Sequence, residues 1–318
     1  MVCGNCWTGM VFAHCYWRQG VVTGDKVFIT TVITDGKSKP PQRGMDFSNE
    51  YIAKLMKEGL SEQEAIARVT ARDIELPEEV TLHYSLVCLD LKSGDEIWKR
   101  EFHSGRPPGG RHRKNSFASE TPVTDGTLVY VYTTNLGVFA YDLDGRQKWQ
   151  TPLKSHPVFL DWGTGGSPVL HDDQLLIVND NQEHSFVASL NKETGKQIWK
   201  TRRDSPNGGG ARAPASGWVT PFVWRHKARS EIVTIGPGTA ISYSLDGKEL
   251  WRLNGMSESP VPTPFAYKGR LYVNGGKTRP VFAVNPGGAG DITPKSGDGS
   301  GEQGDCTVSH LLNSTFSR

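Results

Sequence analysis

The most informative segment of the sequence reads Val187-Ala-Ser-Leu-Asn191-Lys-Glu-Thr-Gly195-Lys-Gln-Ile-Trp199. An apolar run is joined to a second short run, which ends in tryptophan, by a stretch that contains asparagine, threonine and glycine. Runs of this composition are typical of strands, and the glycine can supply the positive φ that a tight turn needs. The segment therefore predicts two antiparallel strands joined by a hairpin turn.

The same pattern occurs four times along the chain. Its copies end at Trp98, Trp149, Trp199 and Trp251, which are 51, 50 and 52 residues apart, and each has a glycine four residues before the tryptophan. A fixed period of this length indicates one supersecondary unit that recurs and packs against its neighbours. A buried indole N–H needs a hydrogen-bond acceptor, and the ring buries a large apolar area. We therefore expect each tryptophan to pack against the next unit and to connect the two.

A further pair of predicted strands precedes each copy. In four units it begins after a Ser/Thr-Pro pair, and an earlier copy that starts at Val21 lacks the proline. Four strands in about 50 residues is the size of a propeller blade. The sequence therefore predicts an all-β protein, a β-propeller of four-stranded blades. The Ser/Thr-Pro pairs are Thr121-Pro122, Ser167-Pro168, Thr220-Pro221 and Thr263-Pro264.

The repeats resemble the pyrroloquinoline-quinone-like (PQQ-like) repeat, Ala-x-Asp-x-x-Thr-Gly-x-x-x-Trp, which quinoprotein dehydrogenases share with non-enzymatic propellers. The resemblance covers about Val21 to Asp291, and residues 113–119 and 283–293 are similar to exported bacterial quinoprotein-like propellers. The resemblance implies a ring of seven or eight blades, the usual number in this family. This sequence has four complete units and a fifth, starting at Pro262, that reaches Asn285 without its tryptophan. We therefore expect about five blades of an incomplete ring and a fragment of a longer protein.

The chain divides into three predicted segments. Residues 1–20 match no repeat, residues 21–293 carry the propeller repeats, and the Gly/Ser-rich residues 294–318 are predicted to be a disordered tail. A helical hairpin is predicted at about residues 46–73, inside the first unit. Ser48 can cap its first helix, Gly59 can end it, and Ser61 with Glu64 forms a capping box for the second. The apolar face expected to pack on the blade comprises Ile52, Leu55, Met56, Leu60, Ala65 and Val69.

Composition excludes several classes of partner. With 36 basic and 34 acidic residues the net charge is +2, so there is no overall field to attract nucleic acid or an anionic membrane. We expect no membrane span and find no signal peptide in the sequence, although the resemblance implies a periplasmic or other extracytoplasmic location. The odd number of cysteines argues against a disulfide framework. The five are Cys3, Cys6, Cys15, Cys88 and Cys306.

The sequence assigns no catalytic, cofactor-binding or metal-binding residue. Asn179-Asp180-Asn181 is the most oxygen-rich loop, but it lacks the distal glutamate of a calcium loop and is interpreted as a hairpin turn. Residues 299–304 match G-x-G-x-x-G, yet no strand is predicted before them and no helix after them. The adjacent cysteine pair of many quinoprotein dehydrogenases is absent from the sequence.

Two functions remain open. The first is a non-catalytic scaffold or binding module without a cofactor, whose partner is a protein or a peptide. The second is a PQQ-dependent, quinoprotein-like oxidoreductase that uses the quinone with calcium and whose catalytic residues are missing or unrecognised. The sequence favours the first, because none of the dehydrogenase site features is identifiable in it, but a fold by itself does not define a function.

Overall fold

The computed structural model describes residues 20–34, 49–65, 67, 81–112, 115–203, 215–276, 279, 281–294, 300–303 and 306–310. Their strands form five sheets that follow one another along the chain, here called blades 1 to 5. In each blade the first three strands, in chain order, are antiparallel neighbours, and a fourth strand follows the third. The predicted all-β propeller of about five blades is confirmed, and the five sheets fit part of a propeller ring.

The strands and the helix have the following bounds. Blade 1 contains β1 (Val21–Thr23), β2 (Lys26–Thr34), β3 (Leu82–Asp90) and β4 (Glu96–Gly105), with the helix α1 (Asn49–Lys57) between β2 and β3. Blade 2 contains β5 (Val123–Thr124), β6 (Leu128–Thr133), β7 (Gly137–Asp142) and β8 (Gln147–Pro152), and a 3-10 turn (Phe159–Asp161) follows. Blade 3 contains β9 (Val169–His171), β10 (Gln174–Asn179), β11 (Phe186–Asn191) and β12 (Gln197–Arg202). Blade 4 contains β13 (Phe222–Arg225), β14 (Ser230–Gly236), β15 (Thr239–Tyr243), β16 (Glu249–Asn254) and the late strand β20 (Gly290–Asp291). Blade 5 contains β17 (Phe265–Tyr267), β18 (Arg270–Asn274), β19 (Val281–Val284), β21 (Ser300–Gln303) and β22 (Cys306–His310).

The core lies between successive blades. One cluster joins Phe28 and Leu86 of blade 1 to Val129 and Val131 of blade 2, and three similar clusters join blades 2 and 3, 3 and 4, and 4 and 5. The middle strands of blades 2 to 4 are apolar on both faces because each of these blades has a neighbour on either side. This arrangement explains why a single blade cannot bury its own faces.

The repeated tryptophans join neighbouring blades, as the sequence predicts, at three of four positions. In each case the indole N–H donates to a turn carbonyl of the following blade, and the turn glycine lies against the ring. An added Cβ on Gly247 would lie 2.5 Å from Cε3 of Trp199, so only glycine fits this position without displacement. The three bonds run from Trp98 to Leu143 (3.1 Å), from Trp149 to Lys192 (2.9 Å) and from Trp199 to Leu245 (2.9 Å).

The fourth tryptophan departs from this expectation. Trp251 is fully buried and its indole N–H donates to the Glu231 carboxylate at 2.7 Å, within its own blade. Glu231 also accepts a hydrogen bond from Ser242 (2.6 Å), ion-pairs with Arg229 (2.8 Å) and lies 2.9 Å from His226 Nε2. A buried carboxylate needs partners of this kind, and the indole is one of them. The segment around Arg229 is therefore partly internal.

The helical insertion is confirmed in the part that is described. Leu60 N–H donates to the Leu55 carbonyl (3.2 Å) beside Gly59 at φ +103°, which is a left-handed helix end. Ser61 and Glu64 form the predicted capping box, with Ser61 N–H donating to the Glu64 carboxylate at 2.8 Å. Hydrogen bonds from Ser61 lower the pKa of Glu64.

The predicted apolar face of this insertion is only partly correct. Leu55 and Ala65 are buried, whereas Met56 is 44% exposed because it follows Leu55 directly and points about 100° away around the helix. Ser48 and the side chains of Ile52 and Val69 lie outside the described residues.

The segment predicted to be a disordered tail contains two strands. β22 pairs with β19 at the place where the tryptophan-terminated strand stands in the other blades, and β21 pairs with β22. The prediction of disorder is therefore wrong for residues 300–303 and 306–310. The open edge of β19 presents backbone groups that need partners, and a tail rich in polar residues can supply them by pairing.

Candidate functional site

A buried carboxylate joins three loops at the boundary of blades 1 and 2. Glu120 lies between β4 and β5 and is 3% exposed. Its Oε1 accepts hydrogen bonds from Thr134 N–H (3.2 Å), Thr134 Oγ1 (3.0 Å) and Thr164 Oγ1 (2.5 Å). Its Oε2 is buried and has no hydrogen-bond partner among the described residues. Burial raises the pKa of Glu120, although these hydrogen bonds oppose the shift.

A polar cleft adjoins this carboxylate. Thr164, which donates to Glu120, lines it, and so does Thr133, whose buried hydroxyl also has no partner among the described residues. Burial raises the pKa of Tyr84, another lining residue, and the Glu120 charge adds to that effect. The lining consists of Tyr84, Pro108, Gly109, Gly110, Ser116, Phe117, Thr133, Asn135, Leu136, Gly163 and Thr164.

An aromatic group flanks the cleft at Gly163. The Trp162 ring lies 5.8 Å from Trp218 and 5.7 Å from Phe159, measured between centroids. Trp218 Nε1 donates to the Gly163 carbonyl at 2.7 Å, which ties this group to the cleft wall. None of these aromatic residues belongs to the repeat, so the sequence pattern contains no signal for them.

The oxygen-rich loop of blade 3 has the geometry of a hairpin turn, in agreement with its sequence interpretation. Asn181 Oδ1 accepts hydrogen bonds from Glu183 N–H (2.9 Å) and His184 N–H (2.7 Å). Asp180 is buried and its Oδ1 lies 3.0 Å from Nε of Arg203. Calcium requires six to eight oxygen ligands. The residues of this loop do not fit that ion, because their oxygens hold a turn and the guanidinium stands beside the carboxylate.

A different feature occurs at the outer edge of blade 4. β20 adds to β16 as a parallel strand, with Asp291 in register with Arg252. Ile292 N–H donates to the Arg252 carbonyl (2.9 Å), and the Ile292 side chain is 6% exposed. Asn254 N–H donates to Thr293 Oγ1 at 2.9 Å. The outer edge of a blade therefore accepts an extended segment.

The corresponding edges of blades 1 to 3 end their sheets. In the described part of the chain, no strand pairs with the outer side of β4, β8 or β12. Lys99 in β4 and Lys200 in β12 stand one residue after the tryptophan, as Arg252 does, and β8 has Gln150 there. Ile198 in β12 is 46% exposed, so this edge also offers apolar surface.

Comparison with known proteins agrees with this architecture. A protein-family model described as outer membrane protein assembly factor BamB matches residues 83–239, which run from β3 into β15. The repeats of residues 83–239 are therefore similar to those of this PQQ-like propeller family. A search of curated proteins finds no match.

Solved structures similar to this PQQ-like propeller include both enzymes and an assembly factor. BamB from Moraxella catarrhalis is 17% identical, with a TM-score of 0.46, over 65% of this chain and 57% of that one. A quinohemoprotein alcohol dehydrogenase from Comamonas testosteroni is 12% identical, with a TM-score of 0.42, over 64% and 40%. The chain thus spans little more than half of the first protein and less than half of the second.

Two features are absent from the described residues of the propeller. None of its helices combines the length and the apolar character that crossing a membrane requires. Within the same ranges, His, Cys, Asp and Glu side chains form no group of three or more that could hold a metal ion. The described cysteine thiol, Cys88, is free and buried, and burial raises its pKa to about 11.

Proposed function

We propose that this propeller is a non-catalytic binding module, which works without a cofactor and holds an extended segment of a protein partner at the outer edge of a blade. The observation that carries the proposal is the parallel pairing of β20 with β16. Main-chain hydrogen bonds supply affinity in strand addition, and pockets for alternate side chains supply specificity. Both are present in the intramolecular case, through the Ile292 N–H bond and the buried Ile292 side chain.

The edge of blade 3 is the one best suited to a partner. β12 reads Gln-Ile-Trp-Lys-Thr-Arg and contains no acidic residue, whereas β4 contains Glu96 and Glu101 and β8 ends in Pro152. Lys200 stands at the position where Arg252 faces Asp291 in blade 4. We therefore expect a segment in which an acidic residue is followed by a β-branched apolar residue. Opposite charges on paired strands attract, and the apolar side chain, on the other face, can pack beside Trp199 as Ile292 packs with Trp251 and Leu253.

A synthetic peptide with the sequence of residues 288–294, Gly-Ala-Gly-Asp-Ile-Thr-Pro, tests this proposal on the full chain. We expect fluorescence anisotropy to show saturable binding, and hydrogen exchange to show new protection of the β12 amides. Lys200→Glu should weaken binding about tenfold or more, which corresponds to about 1.4 kcal/mol. The matched control Lys148→Glu changes an exposed lysine of β8 that precedes its tryptophan, and should leave binding unchanged.

Either of two results would overturn the proposal: the peptide fails to bind, or both lysine variants weaken it equally. The measurement is valid only where Lys200→Glu retains the melting temperature of the unchanged chain, because Lys200 also lies 3.8 Å from the Phe186 ring centroid. A peptide with lysine in place of the acidic residue provides the reciprocal control and should bind more weakly.

The alternative function, a PQQ-dependent oxidoreductase, is tested by titration with the quinone and calcium. We expect no saturable change in quinone absorbance and no oxidation of an alcohol. Saturable micromolar binding with turnover that a chelator abolishes would replace our proposal with the dehydrogenase. The description of the matching family as an outer membrane assembly factor supports an extracytoplasmic location, which we include in the proposal.

A further inference from the structure

We infer that the cleft beside Glu120 is a binding site for a primary ammonium group, supplied either by a lysine side chain or by a free alkylamine. This inference concerns a different surface from the outer edge of blade 3 and does not depend on strand addition there. It starts from the carboxylate oxygen that the described part of the fold leaves without a partner.

The ionised form of Glu120 would be a buried charge without a counter-ion among the described residues, which is why burial raises its pKa. Its Oε1 already accepts three hydrogen bonds, and its Oε2 accepts none from the described residues. No ion pair with a described cationic side chain involves it. Buried charges in proteins are normally paired, since desolvation of an isolated carboxylate is costly. Thr164, which donates to Glu120, lines the cleft, so a cation bound beside Thr164 would be the counter-ion of this carboxylate.

The lining of the cleft indicates what kind of cation fits. Thr133 Oγ1 is a second buried acceptor without a described partner, and Tyr84 adds an aromatic face on the same lining. An ammonium group offers three donors in a compact head and is attracted to aromatic rings. A divalent metal fits less well, because one free carboxylate oxygen falls far short of the six to eight ligands of calcium.

Arg111 is a described cationic residue next to the cleft, and its guanidinium already has other contacts. The Arg111 guanidinium lies 5.7 Å from the Phe117 ring centroid and donates to the Asn115 carbonyl at 3.0 Å. It therefore covers one aromatic wall of the cleft and leaves Tyr84 as the other. Glycines at positions 109, 110 and 163 contribute backbone to the remaining wall, and the Asp161 carboxylate lies close to Gly109.

Isothermal titration of the full chain with Nα-acetyl-lysine methylamide tests this inference. We expect binding that weakens at least tenfold when the ligand is acetylated at Nε, since acetylation removes the charge. Glu120→Gln keeps the shape of the side chain and should weaken the lysine ligand to a similar extent. The matched control Glu96→Gln alters an exposed carboxylate of β4 and should leave the affinity unchanged.

A second variant keeps the test valid if Glu120→Gln does not fold. Thr133→Val removes one acceptor while preserving side-chain shape, and should weaken the lysine ligand several-fold without affecting its acetylated form. Ethylammonium chloride separates the two sources of the ligand: comparable binding identifies a free amine, whereas binding of the lysine derivative alone identifies a protein side chain. The inference fails if neither amine binds, if acetylation has no effect, or if a folded Glu120→Gln binds as the unchanged chain does.

Discussion

Replacement of Trp199 by alanine tests the inter-blade contact most directly. Trp199 lies in the fourth strand of blade 3, is partly buried, and packs on the cluster shared by blades 3 and 4. Its indole N–H donates to Leu245 of blade 4, and Thr201 Oγ1 donates to the Gly247 carbonyl at 2.7 Å. The substitution removes the ring and its hydrogen bond but leaves the Thr201 bond in place.

The expected loss follows from area and hydrogen bonding. A tryptophan in such a position buries roughly 100–200 Å², which at about 25 cal/mol per Å² corresponds to about 3–5 kcal/mol. The lost hydrogen bond contributes about 1 kcal/mol, but water reaches part of this site and compensates some of it. We therefore expect Trp199→Ala to lower the free energy of unfolding by about 3–5 kcal/mol, within the range for large aromatic deletions.

Urea denaturation followed by circular dichroism measures this loss, and Trp199→Phe separates its two parts. The phenylalanine variant keeps most of the ring and should lose only about 1–2 kcal/mol. A loss below about 1 kcal/mol for Trp199→Ala would refute the reasoning, because it would show that the ring does not join the two blades.

Two further predictions concern the turns. Gly247→Ala should destabilise the protein by about 2–3 kcal/mol more than Gly269→Ala. Both glycines have positive φ (+84° and +78°), but only Gly247 lies against a tryptophan ring. Equal losses of stability in thermal melts of the two variants would contradict this prediction. Asp125 is partly buried, which raises its pKa, but hydrogen bonds from Leu128 and Thr127 and the Lys192 ammonium at 3.1 Å outweigh burial and lower the pKa overall. Its stabilisation is therefore present above the unfolded pKa of about 3.9 and disappears as the pH falls through the lower folded value. Asp125→Asn should accordingly be less stable at pH 7, with a difference that shrinks below about pH 4, and parallel stability profiles between pH 7 and pH 2 would contradict this expectation.

The sequence by itself determined the repeating part of this protein. Strand and turn formation depend on residues close together in the chain, so a glycine four residues before each tryptophan suffices to predict the blades and their period. It also predicted the capping box at Ser61 and the inter-blade tryptophan bonds, of which three of four are present. These features are local, or they recur from unit to unit, and a pattern in the sequence therefore reveals them.

Only the tertiary structure decided the features that occur once. Glu120 is separated by 44 residues from Thr164, and no periodicity indicates that they meet beside one cleft. Trp251 bonds to Glu231 in its own blade, although its position in the repeat is identical to that of the other tryptophans. β20 pairs with β16, and β22 pairs with β19 in blade 5. An open strand edge has unpaired N–H and C=O groups, which can pair with any extended segment that lies beside it. Such contacts depend on which distant segments meet in three dimensions, and a local pattern contains no information about that.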